Sequence, residues 1–349
     1  MNINYQITNT TLNEMSRFFD LHGRIYAVLD WISNEMSEEV IKANRELSAY
    51  AAVSNDKTKL KELASLTKPN LTDILSFLPG RTKDGVKRYT DVLNEFDTYI
   101  DSPSDFTLKT IKDIHLQTTG NEKFELRTSK RILPIEVWEN GIHDVLEFPV
   151  QTKPEDIEKK LQDFLKWFKQ NYNIVNPIVL AAIAHFKIAE IHPFNDGNGR
   201  LARILGRGIL YINEIDTSRI LPIDNFYLKN QQFYYTLLDT SIKDKDLTHW
   251  IEFMTKGLLE AAIQTCQFIL EVSGGSIDLI NTSIIELTGI EQKIVKIIRE
   301  NEYLNGSDIA RELGKTRQYV NIIMKDLIEK GIVTKTGANT SVRYSLAKL

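Results

Sequence analysis

The sequence predicts a mainly α-helical protein with one β-hairpin and a small second domain near its C-terminal end. Helical periodicity prevails along the 349-residue chain. Two short apolar runs flank Asn140-Gly141, a dipeptide typical of hairpin turns. The glycine- and serine-rich segment 273–276 precedes a stretch of different charge and indicates a linker. Because one hydrophobic core rarely supports a chain of this length, we expect two or three domains.

Helices account for most of the predicted elements. Amphipathic spacing predicts helices over 12–55 and 58–67, and helices are also predicted over 106–115, 155–172 and 177–191. In the last of these, Asn176 is a suitable N-cap and Pro177 suits the first helical position. Because this helix is apolar on nearly every side, we expect it to be the buried axis of its domain. The hairpin is predicted from the strand-like runs 132–137 and 145–150 around the Asn-Gly turn.

Composition and charge exclude several classes of protein. With 42% hydrophobic and 26% charged residues, the chain is neither disordered nor fibrous. A net charge of −4 argues against a dominant polyanionic partner. The N-terminus lacks the features of a signal peptide, and the longest apolar run, 178–184, is far too short to cross a bilayer. The lone Cys266 fits a reducing compartment. We therefore expect a soluble, cytoplasmic protein without a membrane partner.

The residues after the linker form a small basic module. Ser307 is a suitable cap for a helix that ends at Gly314, and Thr316 for a second helix that ends at Lys330. Two short strands are predicted over 332–335 and 342–346. Helix, turn, helix and a two-stranded wing together predict a winged-helix domain. From residue 286 onward, 11 Lys and Arg face 8 Asp and Glu, whereas the preceding part of the chain is acidic.

The segment 192–200 reads HPFNDGNGR and combines groups that suit a metal-bound polyphosphate. His192 ends the axial helix, and the turn that begins at Asp196 contains two glycines that let backbone N–H groups converge. Arg200 begins the next helix, whose N-terminal end attracts anions. Arg203 and Arg207 follow on the same face, and we interpret Arg207 as a surface ion-pair partner. A single carboxylate suffices for Mg²⁺ when phosphate and water supply its other ligands.

This segment resembles the signature of the Fic family, HPFx[D/E]GNGR, and matches it at every specified position. The resemblance extends from about residue 100 to about residue 260. The hairpin corresponds to the family's target-docking flap, and 230–235 (NQQFYY) resembles a later N-R-x-x-Y-Y element in which Gln231 replaces the usual Arg. The resemblance implies a protein adenylyltransferase, an enzyme that transfers AMP from ATP to a hydroxyl group of a target protein, with an all-helical core and one hairpin.

The resemblance also implies roles for individual residues. His192 would take the proton from a target Ser, Thr or Tyr hydroxyl, and Asp196 would hold Mg²⁺ across the α- and β-phosphates. The implied nucleotide-binding residues are Asn195, Gly197, Asn198, Gly199, Arg200, Arg203, Asn230 and Tyr235. Arg127 falls at the place of a structural arginine. The implied flap residues are Ile132, Leu133, Ile135 and Val137, and we expect Ile135→Pro to remove a backbone donor needed for target docking.

Regulation is predicted from a departure from the family. Many relatives carry an inhibitory helix with the motif [S/T]xxxE[G/N], whose Glu pairs with the second arginine of the signature. The alignment places Tyr50, Ser54 and Asn55 at the three specified positions of that motif, so the inhibitory carboxylate is missing. We therefore expect Arg203 to be free, and the isolated protein to label itself or a target without an activating partner.

The predicted organisation is an N-terminal helical region over 1–100, a Fic catalytic core over 101–272, a linker over 273–285 and a winged helix over 286–349. Two alternatives remain open. One is a DNA-binding regulator in which Arg317, Gln318 and Asn321 read base edges. The other is transfer of UMP, phosphocholine or phosphate by the same fold. Because the basic excess is small for a DNA footprint, we favour protein binding or homodimerisation as the role of the winged helix.

Overall fold

A computed structural model describes residues 3–54, 75–76, 78–139, 142–273, 277, 279–280, 288–301, 304–330, 332–337 and 342–346. Backbone contacts divide the chain into two compact units, Met1–Ile280 and Asn281–Leu349. The described residues are mostly helical, which confirms the predicted fold class. The boundary proposed at residue 100 and the linker over 273–285 stay predictions. No helix of the described ranges is long and apolar enough to span a bilayer.

The first unit is built from helices that largely follow the predicted ones. They are α1 (Asn9–Leu29), α2 (Asn34–Val53), α3 (Gly80–Asn94), α4 (Leu108–Thr119), α5 (Ile157–Asn171), α6 (Pro177–Ile191), α7 (Asn198–Ile212), α8 (Ile223–Lys229), α9 (Gln231–Asp244) and α10 (Thr248–Val272). The predicted helix over 12–55 is two helices, because Ser33 caps α2 by accepting a hydrogen bond from the Met36 N–H. The predicted helix over 58–67 lies outside the described residues.

Helix α6 is the buried axis of this unit, as predicted. Asn176 caps it by accepting a hydrogen bond from the Ile178 N–H at 2.9 Å. Nearly all of its side chains are buried, and it packs against α5, α7 and α10. From α10, Trp250 donates its indole N–H to the carbonyl of Ala182 at 2.8 Å. This buried packing fixes the position of the residue that follows α6, His192.

The predicted hairpin is confirmed, and its register shows which backbone groups are free. Strand β1 (Ile132–Glu139) pairs antiparallel with β2 (Ile142–Pro149). Just before β1, Arg131 accepts a hydrogen bond from the Val150 N–H at 2.9 Å, so Arg131 and Val150 form a hydrogen-bonded pair. Bonding alternates from there, and the N–H of Ile135 therefore faces β2 while the N–H of Glu136 faces away.

This register corrects one expectation from the sequence. Ile135→Pro would remove a hydrogen bond inside the hairpin, and not a donor on its outer edge. Pro134 occupies an outward-facing position, where its missing N–H costs the ladder nothing. Among the described residues β1 pairs with β2 alone, so its other edge is available for an added strand.

The second unit has the predicted winged-helix order. It contains α11 (Gly289–Glu300), α12 (Gly306–Leu313), α13 (Arg317–Glu329) and the antiparallel strands β3 (Val333–Thr336) and β4 (Arg343–Leu346). Thr316 caps α13, and Gly314 ends α12 with φ of +63°, both as expected. The cap of α12 differs, because the Asn305 side chain, and not Ser307, accepts hydrogen bonds from the N–H groups of Ser307 and Asp308. An Asn two residues earlier reaches those orphan donors without entering the helix.

Candidate active site

His192 is held in an unusual backbone conformation directly after the axial helix. Its φ of 50° and ψ of 62° lie in the left-handed region, and its N–H donates to the Ile188 carbonyl at 2.9 Å. A histidine adopts this conformation only where its surroundings stabilise it. The chain therefore turns sharply at His192 and leaves the helix toward the loop.

Arg127 stabilises that turn by binding main-chain carbonyls on both sides of it. Its side chain is 1% exposed, and its Nε donates to the carbonyl of His192 at 2.7 Å. Its Nη2 donates to Thr152, and its backbone N–H donates to the Pro193 carbonyl at 3.0 Å. A planar guanidinium with five donors suits such a cluster of carbonyls. These contacts support the architectural role expected from the sequence.

The rest of the loop is fixed by an amide and an aromatic stack. The Asn198 side chain accepts from the Phe194 N–H and donates to the Phe194 carbonyl, both at 2.9 Å. The ring of Phe194 stacks on His115 with centroids 3.7 Å apart, and His115 Nε2 lies 3.0 Å from the Asp196 carbonyl oxygen. The buried Asn198 side chain therefore holds the loop in place through both its oxygen and its nitrogen.

The start of α7 offers three backbone donors. Gly197 is its N-cap with φ of +79°, and a Cβ there would lie 2.4 Å from a methyl group of Thr119, so only glycine fits. The first intrahelical hydrogen bond runs from the Leu201 N–H to the Gly197 carbonyl. The N–H groups of Asn198, Gly199 and Arg200 therefore lack intrahelical partners and form an anion-binding helix end.

Asp196 and Arg200 form an ion pair at the edge of this helix end. Arg200 Nη2 lies 3.1 Å from Asp196 Oδ2, and Arg200 Nη1 donates to the Thr118 carbonyl at 2.8 Å. Burial lowers the pKa of Arg200, and the nearby Arg203 and Arg88 lower it further, whereas Asp196 acts in the opposite direction. The guanidinium is thus fixed beside the free N–H groups with an incompletely compensated positive charge.

The surroundings of His192 keep its imidazole neutral. Burial, followed by the positive charges of Arg127 and Arg131, lowers its pKa to about 4. A hydrogen bond to the backbone of Ala189 and the Asp196 carboxylate oppose this shift. At neutral pH the ring therefore holds a lone pair that is able to accept a proton.

A buried network of charges lies one to two turns further along α7. Arg203 Nε is 2.9 Å from Asp224 Oδ1, and Arg207 Nη1 is 3.0 Å from Asp224 Oδ2. The same carboxylate accepts hydrogen bonds from Ser48 of α2 at 2.6 Å and Tyr89 of α3 at 3.2 Å. The carboxylate thus joins helices α2, α3, α7 and α8.

This network corrects two expectations from the sequence. Arg207 is not a surface residue, because its side chain is only 2% exposed and pairs with Asp224 and Asp216. Arg203 is not free, because Asp224 pairs with it and the Ala52 carbonyl accepts from its Nη2 at 2.6 Å. Because Arg203 and Arg207 are four residues apart and lie on one helical face, the sequence indicates that they share the same surroundings. Their partners lie on other helices, far away in the sequence, and no local pattern marks them.

A cavity of about 460 Å³ opens beside the start of α7, a size suited to a nucleotide. Of the predicted nucleotide-binding residues, Gly197, Gly199, Arg200, Arg203 and Tyr235 line it, as does Asp196. Asn195, Asn198 and Asn230 are not among its described lining residues. The Asn230 side chain donates to the Phe226 carbonyl at 2.9 Å, and Gln231 contacts the cavity instead. His192 lies at the beginning of the same loop, outside the lining.

The other part of the cavity lining comes from α2, whose end is predicted to be regulatory, and from α3. Residues 51–54, at the end of α2, line it, so Ser54 and Arg203 border the same space. Tyr50 is buried one turn earlier, and Asn55 lies outside the described residues. From α3 come Arg81, Thr82, Gly85 and Arg88, which the sequence analysis did not select. The available signal in the sequence for this part of the lining was that Arg81 and Arg88 lie seven residues apart, on one face of a helix.

The flap residues lie on β1 as predicted. The Ile132 side chain is 59% exposed, whereas Leu133 is half-buried and packs against the hydrophobic core. The side chains of Ile135 and Val137 lie outside the described residues. At the described beginning of β1, Ile132 thus faces away from the core and Leu133 faces toward it.

Asp196 is the one carboxylate that the described cavity lining offers to a metal ion. No group of three or more His, Cys, Asp or Glu side chains suited to a metal occurs among the described residues. The Asp196 carboxylate is 66% exposed and keeps lone pairs beyond its bonds to Gly197 and Arg200. This arrangement fits Mg²⁺, which takes one or two carboxylates and completes its shell with phosphate oxygens and water.

Similarity to known proteins includes the region that contains the loop and much of the second unit. Residues 105–210 match the Fic/DOC family, and residues 287–334 match the winged helix-turn-helix DNA-binding family. The chain is 47% identical over 62 residues to a protein adenylyltransferase Fic of Nematostella vectensis, which is 18% of this chain and 14% of that protein. It is 32% identical over 155 residues to protein adenylyltransferase fic-1 of Caenorhabditis briggsae, which is 44% of this chain and 28% of the relative. The chain thus spans less than a third of the length of these relatives.

A solved structure shares the fold over nearly the whole chain. The crystal structure of a Fic family protein from Desulfovibrio desulfuricans superposes with a TM-score of 0.57 at 18% identity, covering 99% of this chain and 98% of that one. At this identity the likeness establishes the fold alone. Together with the HPFNDGNGR loop, these matches show that the chain contains a Fic/DOC domain, to which the loop at 192–200 belongs, and a C-terminal winged helix-turn-helix domain.

Proposed function

We propose that this protein is a protein adenylyltransferase that moves AMP from ATP to a hydroxyl side chain of a target protein. The carrying observation is that one short loop begins with a neutral imidazole at His192 and ends at the unpaired N–H groups of the start of α7. The names of the relatives, protein adenylyltransferases, support this reaction class over the other transfers that the fold could perform. The cavity beside the helix end offers the space for the nucleotide.

In the proposed mechanism, the residues of the loop bind the phosphates and move one proton. The N–H groups of Asn198, Gly199 and Arg200 bind oxygens of the α-phosphate, and the Arg200 guanidinium binds the β-phosphate. His192 accepts the proton of the target hydroxyl while the hydroxyl oxygen forms a bond to the α-phosphorus. At the same time, the bond breaks between the α-phosphorus and the oxygen that bridges it to the β-phosphate. Pyrophosphate leaves. The fixed donors stabilise the charge that develops on the phosphate oxygens.

Mg²⁺ is the cofactor we propose for this reaction. Asp196 would hold it together with phosphate oxygens of the nucleotide. When bound, the ion would neutralise charge on the phosphates and on the departing pyrophosphate. The ion pair between Arg200 and Asp196 keeps the carboxylate next to the phosphate-binding N–H groups before any ligand arrives.

For the target, we propose docking as an added strand along the outer edge of β1. The N–H groups of Ile132, Glu136 and Trp138 face that edge by register. Main-chain hydrogen bonds of this kind accept many sequences, which suits a hydroxyl-bearing target as well as modification of the chain itself. We expect the reaction to take place in the cytoplasm.

The second unit has a separate proposed role. The first turns of α13 expose Arg317, Gln318 and Asn321, which supports DNA binding as the alternative function. The same surface exposes Tyr319 and 66% of Ile322, which favours contact with a protein or a second copy of the chain. Sedimentation of the purified protein with and without duplex DNA separates these roles: a DNA-independent dimer supports protein contact, and a salt-sensitive DNA complex supports the alternative.

The proposed activity is tested with labelled nucleotides. The purified protein is incubated with Mg²⁺ and ATP labelled at the α- or the γ-phosphate, with labelled UTP as a competitor class. Covalent label from α-labelled ATP alone is the expected result. Label from the γ-position would indicate phosphate transfer, preferential label from UTP would indicate UMP transfer, and no label at all would contradict the proposal.

A further inference from the structure

One wall of the cavity carries an arginine that no described residue neutralises. Arg88 of α3 lines the cavity together with Arg200, Arg203 and Arg81. Within the described part of the chain Arg88 makes no hydrogen bond or ion pair, and its Nε is buried without a partner. Leaving a buried guanidinium nitrogen unpaired is costly, and an anionic ligand in the cavity would supply the missing acceptor.

Among the other arginines that line the cavity, Arg200 and Arg203 differ because they have internal partners. Arg203 is paired with Asp224, and Arg200 is paired with Asp196 and hydrogen-bonded to the Thr118 carbonyl. Arg88 lies close enough to Arg200 to lower its pKa. Two like charges held side by side repel each other, and an anionic ligand between them would relieve that repulsion.

The fold provides room for this guanidinium beside the phosphate-binding loop. Arg88 lies against Gly120, which ends α4 with φ of +72°, and a Cβ at Gly120 would approach the Arg88 guanidinium to 2.5 Å. The last turn of α4 also supplies the Thr118 carbonyl that holds Arg200. Both guanidinium groups thus lie at the partially negative C-terminal end of α4, which stabilises two neighbouring cations without neutralising them.

We propose that Arg88 binds the pyrophosphate part of the nucleotide next to Arg200, and so extends the phosphate site beyond the loop at 192–200. This inference rests on the proposed function. Its basis is the charge of the described cavity lining, which holds four arginines but one carboxylate, Asp196. A nucleoside triphosphate carries the negative charge that this lining lacks, whereas a monophosphate would be satisfied by the helix end alone.

Binding of ATP, ADP and AMP to Arg88→Gln, measured by calorimetry, tests this site. We expect affinity for ATP and ADP to fall about tenfold or more, because a charge-assisted contact is lost, and affinity for AMP to change less than about twofold. Lys87→Gln is the matched control. Lys87 is the exposed neighbour on α3 that does not line the cavity, so the same change of charge there should leave all three affinities unchanged.

The outcomes separate this inference from the proposed function. Unchanged ATP affinity in Arg88→Gln, or an equal loss for AMP, would overturn the role of Arg88. A wild-type protein that binds none of the three nucleotides would instead contradict the proposed function. If Arg88→Gln does not fold, Arg88→Met keeps the aliphatic stem, and the same difference between ATP and AMP is expected of it.

Discussion

The first turn of α7 and its middle differ in whether the protein itself supplies partners for their polar groups. At the first turn, the N–H groups of residues 198–200 have no intrahelical partner and border an open cavity. One to two turns later, Arg203 and Arg207 share the buried carboxylate of Asp224. In the middle of the helix the protein supplies partners for both charges, whereas the N–H groups at its beginning await a ligand. Arg207 and Asp224 therefore hold the site in place, the first turn acts in it, and Arg203 borders both regions.

Asp224 does not line the cavity, yet it connects the helices that do. Its carboxylate binds Ser48 on α2 and Tyr89 on α3, the two helices that form the wall opposite the loop. A family resemblance centred on the loop identifies the first turn of α7 but gives no information on these contacts of Asp224. The walls of the site therefore depend on contacts between elements that are distant in the sequence.

The largest expected effect is on stability, from Asp224→Ala. Removing this carboxylate leaves Arg203 without its carboxylate partner and Arg207 with Asp216 alone, which should cost about 3–5 kcal/mol of the free energy of unfolding. Chemical denaturation of the variant beside Asp244→Ala, an exposed carboxylate on α9, measures the difference. A loss below about 1 kcal/mol would mean that the contacts of Asp224 do not hold these helices together.

A second prediction places a new carboxylate between the two regions. Arg203 engages Asp224 through Nε and Ala52 through Nη2, and it borders the same cavity as Ser54, so Ser54→Glu would compete with the terminal phosphate for its remaining donors. We expect self-labelling from ATP to fall about tenfold or more, because charge-assisted hydrogen bonds are strong. Ser54→Gln has the same length without the charge and should retain activity. A Glu variant as active as wild type would rule out this mode of inhibition.

A smaller effect is expected at the flap, which belongs to neither end of α7. Glu136→Pro removes a donor from the outer edge of β1, and transfer to protein acceptors should fall about three- to tenfold for each docking hydrogen bond lost. Glu136→Ala keeps the N–H and serves as the control. ATP binding, measured alongside, should not change. If both variants transfer AMP equally well, the target does not dock on this edge.

The smallest predicted effect concerns pH and the first turn alone. Arg131 helps to lower the pKa of His192 to about 4, and the base is active only when neutral. As pH falls through that pKa, kcat/KM should decline. Arg131→Gln removes a positive charge, so the pKa rises and the decline moves to higher pH, by less than about one unit. Lys130→Gln is the exposed neighbouring control. If kcat/KM declines at the same pH in Arg131→Gln and in wild type, Arg131 does not influence the pKa of His192.

The sequence predicts what local patterns encode. The buried axis at 177–191, the hairpin and the winged helix follow from periodicity, caps and an Asn-Gly turn, and the residues from His192 to Arg200 follow from one contiguous motif. Contacts between distant segments were not accessible: Arg207 looked like a surface cation, and Arg203 looked free, because Asp224 is 17 and 21 residues away from them on another helix. The cap at Asn305 was missed because Ser307 satisfies the same local rule.

The central claim is that His192 serves as the base beside an independent phosphate site, and His192→Ala tests it most directly. Transfer of α-phosphate label from ATP and binding of ATP are measured on the same preparations of variant and wild type. We predict that transfer falls by at least about 10² while ATP affinity stays within about twofold, because the base contributes to the reaction and not to phosphate binding. Near-normal transfer by the variant, or a parallel loss of ATP binding, would contradict the account.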